Sequence, residues 1–278
     1  MTRRVIFSAD DFGLSEAVNE GIERAHRQGL LTSASLMVAG PAAEDAVERA
    51  KRLPDLRVGL HVVVIEGPAV LPVHRIPALV DVEGIFPSDQ LRLGLRYFFL
   101  PRVRDQLREE IRAQFAAFAA TGLTLDHADA HKHMHLHPTV GAMMIEAGWQ
   151  YGLRALRVPC EPCRVLRECG EKPGFGAWAL RMWSQDLREA AKRVGLVVND
   201  HVFGLAWSGG MTEERLLRLA PHLPEGVSEI YFHPAARRDA TLDRLMPSYQ
   251  HEAELEALCS PAVRAAYAGV ERVAYGEL

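Results

Sequence analysis

Long uncharged runs are missing from this chain of 278 residues. No stretch approaches the roughly 18 apolar residues that a membrane-spanning helix requires. The opening residues Met1-Thr2-Arg3-Arg4-Val5-Ile6-Phe7 hold too short an apolar run for a secretory h-region, so a cytoplasmic protein is expected. Excess positive charge is missing too. The net charge is -4 and the pI near 6.3, which leaves no electrostatic footprint for a nucleic-acid partner. Cysteine is scarce, and the four thiols Cys160, Cys163, Cys169 and Cys259 are expected reduced. Cys160 and Cys163 form a C-x-x-C, but no second pair completes a four-ligand zinc set, so they read as thiols of a Pro-rich loop. Internal repeats, low-complexity tracts and domain boundaries are absent, which points to a single domain over residues 1–278.

Histidine, by contrast, is concentrated. Five of the 12 histidines lie between Asp126 and Pro138. Were this stretch extended, His131, His133, His135 and His137 would line one face with Asp129 in phase. Imidazole plus carboxylate is the ligand set of divalent ions in hydrolytic sites.

Around this cluster the sequence alternates strand-like and helix-like runs. Strands are expected at residues 3–9, 31–39, 57–65, 123–128, 153–158, 196–203 and 228–232. Ser15 can cap a helix ended by Gly29, Pro41 can open one over 42–53, and Asp105 can cap one ended by Gly122. Two excursions, at about 66–104 and 159–184, interrupt the rhythm and read as apolar, lid-like insertions. Strand-helix alternation argues for an α/β fold with a parallel sheet. An irregular (β/α) barrel of about seven parallel strands is expected, with a doubly wound open sheet as runner-up. The barrel is favoured because Asp10-Asp11, His61, His131 and His233 all fall at or near strand carboxyl ends, where barrel enzymes keep their reacting groups.

One ion takes about three protein ligands when it must also leave room for water and substrate. The adjacent carboxylates Asp10 and Asp11 repel unless a cation joins them, which suits Asp11 as a ligand and Asp10 as a base. His61 on an apolar strand reads as core filler or ligand. His233 reads as core filler or acid. The remaining groups, Asp129, His133, His135 and the weaker His201, stand as substrate contacts or ligand supports.

Ser8-Ala9-Asp10-Asp11-Phe12-Gly13-Leu14, Gly59-Leu60-His61, the Asp-x-His-x-His-x-His run from Asp129 to His135 before Pro138, and His233-Pro234 together resemble the YdjC family of carbohydrate deacetylases. The matches span nearly the whole chain in the same order. Ala34-Ser35-Leu36-Met37-Val38, Phe98-Phe99-Leu100-Pro101 and Ala130-His131-Lys132-His133 look most like the family's hopanoid-biosynthesis branch. The resemblance implies a (β/α) barrel with one divalent metal held by Asp11, His61 and His131, with Asp10 as base and His233 as acid. It implies removal of acetate from an N-acetylglucosaminyl hopanoid. Asp129 departs from the Asn that the branch often carries there. Zn²⁺ suits two histidines and an aspartate, and Mg²⁺, Mn²⁺, Co²⁺ or Ni²⁺ are compatible.

Three rivals remain. One is a deacetylase of soluble N-acetylated oligosaccharides such as chitooligosaccharides. Another is a different metal hydrolase. The third is a metal-dependent glycolipid-binding protein without catalysis, which has no need of Asp10. Residues 91–104 alternate apolar and aromatic side chains with four arginines. Residues 175–183 add Phe175, Trp178, Leu180, Met182 and Trp183 with Arg181. That composition suits peripheral contact with the cytoplasmic membrane face; a buried flap or a dimer contact is the plainer reading.

Overall fold

The computed structural model describes residues 3–172 and 174–278, without the side chains of residues 175–179. Every other residue of a parallel strand faces the barrel interior, and those between face the helices. In β1 (Arg3–Phe12), Val5, Phe7 and Ala9 join the large core shared with the helices, while Ile6, Ser8 and Asp10 point inward. Ser15 then caps α1 (Glu16–Gln28) by accepting from the Val18 amide at 3.3 Å, and the helix ends at Gly29.

The unit repeats through β2 (Ser33–Leu36), α2 (Ala43–Lys51) and β3 (Arg57–Val62). A long loop leads to α3 (Gln90–Phe99) and α4 (Pro101–Ala120), then β4 (Ala128–Ala130), a 3₁₀ segment (His131–Leu136) and α5 (Pro138–Gln150). Next come β5 (Ala155–Leu156), α6 (Cys163–Glu168), α7 (Phe175–Arg193), β6 (Val197–Val198) and β7 (His201–Phe203). The chain finishes with α8 (Glu213–Leu219), β8 (Gly226–Phe232), α9 (Ala240–Leu245), α10 (His251–Cys259), α11 (Pro261–Ala266) and β9 (Glu271–Arg272).

The strands run parallel in the order β6-β5-β4-β3-β2-β1-β8-β7, with β9 beside β1. The fold is therefore a curled α/β half-barrel. Among the described residues no ladder joins β6 to β7. The expected single strand over 196–203 is instead two short ones on opposite sheet edges, and the chain between them bridges the gap. Asn199, in the connection between them, is anchored just past the end of β5: its Oδ1 accepts from the Val158 amide at 2.7 Å and its Nδ2 donates to the Val158 carbonyl at 2.9 Å.

Two element boundaries also differ from expectation. α4 starts at Pro101 in its first turn, not at Asp105, because proline needs no amide partner there. The second excursion is largely helical, forming α6 and the first half of α7.

The interior is layered. Ile6, Ala155, Val227, Val273 and Tyr275 form an apolar plug at the amino ends of the strands. Ser8, Arg157, Asn199 and Glu229 make a buried polar layer above it. Asp10, Asp11, His61 and Asp129 lie at the carboxyl ends.

Candidate metal centre

Neighbouring strand residues normally point to opposite faces. Asp10 and Asp11 escape that rule because the β1–β2 register shifts between Ala9 and Phe12, and Asp11 takes a left-handed backbone with φ 63°. Both carboxylates therefore reach one site, and both are buried. A non-glycine residue in that region carries strain, and such strain concentrates at functional sites.

Asp11, His61 and His131 converge, as expected. Asp11 Oδ1 lies 3.1 Å from His131 Nδ1 and 3.4 Å from His61 Nε2, and the two nitrogens are 3.4 Å apart. Ligands about 2.0–2.1 Å from a tetrahedral ion sit about 3.3–3.4 Å from each other. The triangle therefore fits a zinc-like ion. Asp11 Oδ2 is buried without a hydrogen-bond partner, which leaves it free to turn toward a cation.

His61 is oriented from behind. Its Nδ1 donates to Asp129 Oδ1 at 2.8 Å, which directs Nε2 at the ligand triangle. Burial opposes charging of His61, but Asp129 and Asp11 push its pKa up to about 10. Burial likewise works against ionised Asp11, yet His131 and His61 hold it well below the ordinary carboxylate range.

Asp10, His61 and Asp129 form a second cluster of ligand atoms. A cation already serves two of them. Arg157, fully buried, donates to Asp10 at 2.8 Å through each terminal nitrogen. Its Nη1 also lies 2.5 Å from Asp129, and its Nε and Nη2 bond Glu229 at 3.0 and 2.7 Å. The guanidinium fills the place of a second ion. It holds Asp10 at the cavity floor with its carboxylate plane fixed.

Asp10, His61, His131, His133, Tyr231 and His233 all line one cavity of about 750 Å³. Its sides include Leu14, Met37, Phe86 and Met246, and its mouth carries Glu66, Lys132 and Arg244. A depression of similar size, about 770 Å³, lies near Arg52 and Arg272 and includes none of these groups. The His233 amide donates to Glu254 at 2.5 Å, and His251 Nδ1 donates to the His233 carbonyl at 2.7 Å, so the backbone of His233 is clamped on both sides. Burial lowers the His233 pKa, opposed by the charges of Asp11 and Asp10.

The remaining expected groups are placed differently from one another. His133 lines the cavity and lies 3.2 Å from the Tyr231 hydroxyl. Asp129, fully buried, stands behind His61 and does not line the cavity. His135 turns away to the Arg157 carbonyl at 3.1 Å. His201 begins β7 opposite Ser228, at the amino ends of the strands, far below His233. The extended reading of the cluster also needs correction. Residues 131–136 form a 3₁₀ segment in which Lys132 and His133 have φ of 51° and 54°. Those two left-handed residues, and not strand alternation, separate the directions of the histidines.

Arg157 and Glu229 escaped the sequence reading. The available signal was a charge within each apolar run, Glu229 alone in Ser228–Phe232 and Arg157 beside a second arginine, Arg154, in Leu153–Val158. Tyr231, Tyr249 and Glu254 gave no comparable signal.

The sequence matches the profile of the YdjC-like protein family over residues 4–269. A carbohydrate deacetylase of Geobacillus stearothermophilus is 32% identical over 281 residues, covering 100% of this chain and 98% of its own. One from Brevibacillus brevis is 30% identical over 262 residues, covering 94% and 93%. A solved structure from Enterococcus faecalis, described as a candidate cellobiose-phosphate cleavage protein, superposes with a TM-score of 0.79 at 24% identity over 100% of this chain and 99% of its own. At that identity it speaks for the fold alone.

Proposed function

The chain belongs to the YdjC-like protein family, and on that premise we propose that it hydrolyses the amide of an N-acetylated carbohydrate, releasing acetate. The observation that carries this reading is the triangle of Asp11, His61 and His131 beside an Asp10 that Arg157 holds in place. Three ligands leave coordination room for water and substrate, and a separate carboxylate stands ready as a base.

Those three residues would hold a divalent ion, with Zn²⁺ the best match, and it would supply Lewis acidity toward the acetyl carbonyl and a lowered pKa for water. Asp10 takes the proton of the attacking water as the C–O bond forms. Arg157 keeps the Asp10 carboxylate aimed. His233 delivers a proton to the amide nitrogen as the C–N bond breaks, and the products are acetate and a free amino sugar.

The substrate we favour is an N-acetylglucosaminyl lipid, a glycosyl hopanoid. Support comes from the apolar side walls of the cavity at Leu14, Met37, Phe86 and Met246, which suit a hydrophobic aglycone beside the sugar. The polar mouth suits a soluble N-acetylated oligosaccharide, the second reading.

Acetate release from both substrates tests the proposal. Asp10→Asn is expected to retain bound metal while losing at least about a thousandfold in turnover. His61→Ala is expected to lose the metal itself. Near-normal turnover in Asp10→Asn would defeat the assigned role.

A further inference from the structure

Of 13 large apolar side chains exposed among the described residues, seven belong to two neighbouring helical regions. Leu91, Leu95, Phe98 and Phe99 form an i, i+4, i+7, i+8 stripe along α3, exposed by 50 to 76%. Leu100 follows directly, and Met182 and Trp183 of α7 are about half exposed. The opposite stripe of α3, Leu93 and Tyr97, is buried, and the Tyr97 hydroxyl donates to the Val64 carbonyl at 2.6 Å. α3 is thus apolar on both faces, although only one is covered. A helix apolar all round ordinarily has something against each face.

The two regions meet at the start of α5. The ring of Phe98 lies 6.1 Å from that of His137, and Trp183 borders the crevice at Leu136 and Pro138. Phe175 and Trp178, expected in the same surface, lie outside the described side chains. Arg92, Arg102, Arg104 and Arg181 are exposed around this ridge, and none has a carboxylate partner among the described residues. The segment that leads into α3 borders the cavity: Pro87 and Ser88 line it, and Gln90 Nε2 at the start of α3 reaches the carbonyl of Lys132, another lining residue, at 3.5 Å.

We propose that the α3 ridge, with Met182 and Trp183, docks on an anionic lipid bilayer and holds the cavity mouth at its surface. Apolar side chains enter the acyl boundary while the free guanidinium groups meet lipid phosphates. A second copy on the same ridge would bring arginines of its own into the contact, whereas lipid phosphates pair with these guanidinium groups directly. The inference rests on the lipid-linked reading of the substrate above.

Sedimentation with vesicles is the test, using phosphatidylcholine alone and phosphatidylcholine with one third phosphatidylglycerol. The variant is Leu91→Ser/Leu95→Ser/Phe99→Ser, confined to exposed positions. Wild type is expected to pellet with the anionic vesicles, and the variant to partition at least about tenfold more weakly. Acetate release from a soluble N-acetylated oligosaccharide should be equal in both, which shows that the variant is folded. The proposal is overturned if wild type stays in the supernatant with anionic vesicles, or if the variant pellets equally. It is also overturned if wild type fails to bind vesicles but forms a dimer that the variant does not, since the ridge then serves a second copy. Should acetate release fail for every substrate while vesicle binding persists, the deacetylase reading is what falls.

Discussion

Arg157 shows how much of the site depends on a residue outside the recognised motifs. One fully buried guanidinium pairs with Asp10, Asp129 and Glu229 at once, and Asp129 in turn orients His61. The positions of Asp10, the proposed base, and of His61, a proposed metal ligand, are therefore coupled through it. Arg157→Lys keeps the charge but cannot make the two parallel bonds to Asp10. Its kcat is expected to fall about 10- to 100-fold with KM and bound metal nearly unchanged, measured by steady-state kinetics and metal analysis. Arg157→Ala should instead cost on the order of 3–5 kcal/mol in urea unfolding, because three carboxylates lose their buried cation. Asp10, Asp11, His61 and the histidine cluster stood out by ligand chemistry and their place after strands, whereas the choice of His131 within the cluster and the role of His233 rested on the family resemblance. Arg157 did not stand out, since an arginine in an apolar run signals burial of a charge without naming its partners.

Between elements, the strands fix where side chains point, and irregularities alter it. β3 and β4 pair Leu60 with Ala128 and His61 with Asp129, and the neighbouring interior position on β3 is Gly59. A Cβ there would lie 2.6 Å from the His127 ring, which uses that space to reach Ser35 Oγ at 3.1 Å. Gly59→Ala should therefore destabilise by about 1–3 kcal/mol through overpacking, read by urea unfolding. Pairing the substitution with His127→Ala, which empties the space, should recover part of that loss relative to the sum of the single variants. Strand and helix order was readable from alternating runs and caps, and Ser15 caps α1 as its sequence indicated. The 3₁₀ path of residues 131–136 was not readable. Two left-handed residues, Lys132 and His133, are tolerated there because surrounding contacts hold them, and local propensity carries no trace of those contacts.

Across the molecule, the loop of residues 204–206 is tied to the other sheet edge by Glu161, which accepts from the amides of Gly204 at 3.0 Å and Ala206 at 2.9 Å. Burial pushes the Glu161 pKa up to about 7, above its ordinary 4.5, although the amide bonds work against the rise. The folded protein then binds more protons than the unfolded chain between those values. This contribution is fully present below pH 4.5 and is lost as pH rises through 7. Wild type minus Glu161→Gln should show that slope, on the order of 3 kcal/mol at most, in urea unfolding from pH 4.5 to 7.5. A flat difference would show that Glu161 titrates alike in both states. Periodicity in the amino-acid sequence sufficed for the parallel α/β architecture and for the end of the sheet where chemistry would gather, because strand alternation and ligand preference are local properties. The open seam between β6 and β7, the Arg157 layer and the unequal fates of the clustered histidines emerged with folding. Each depends on charges and packing surfaces brought together from distant segments, and their energies exist only once those segments meet.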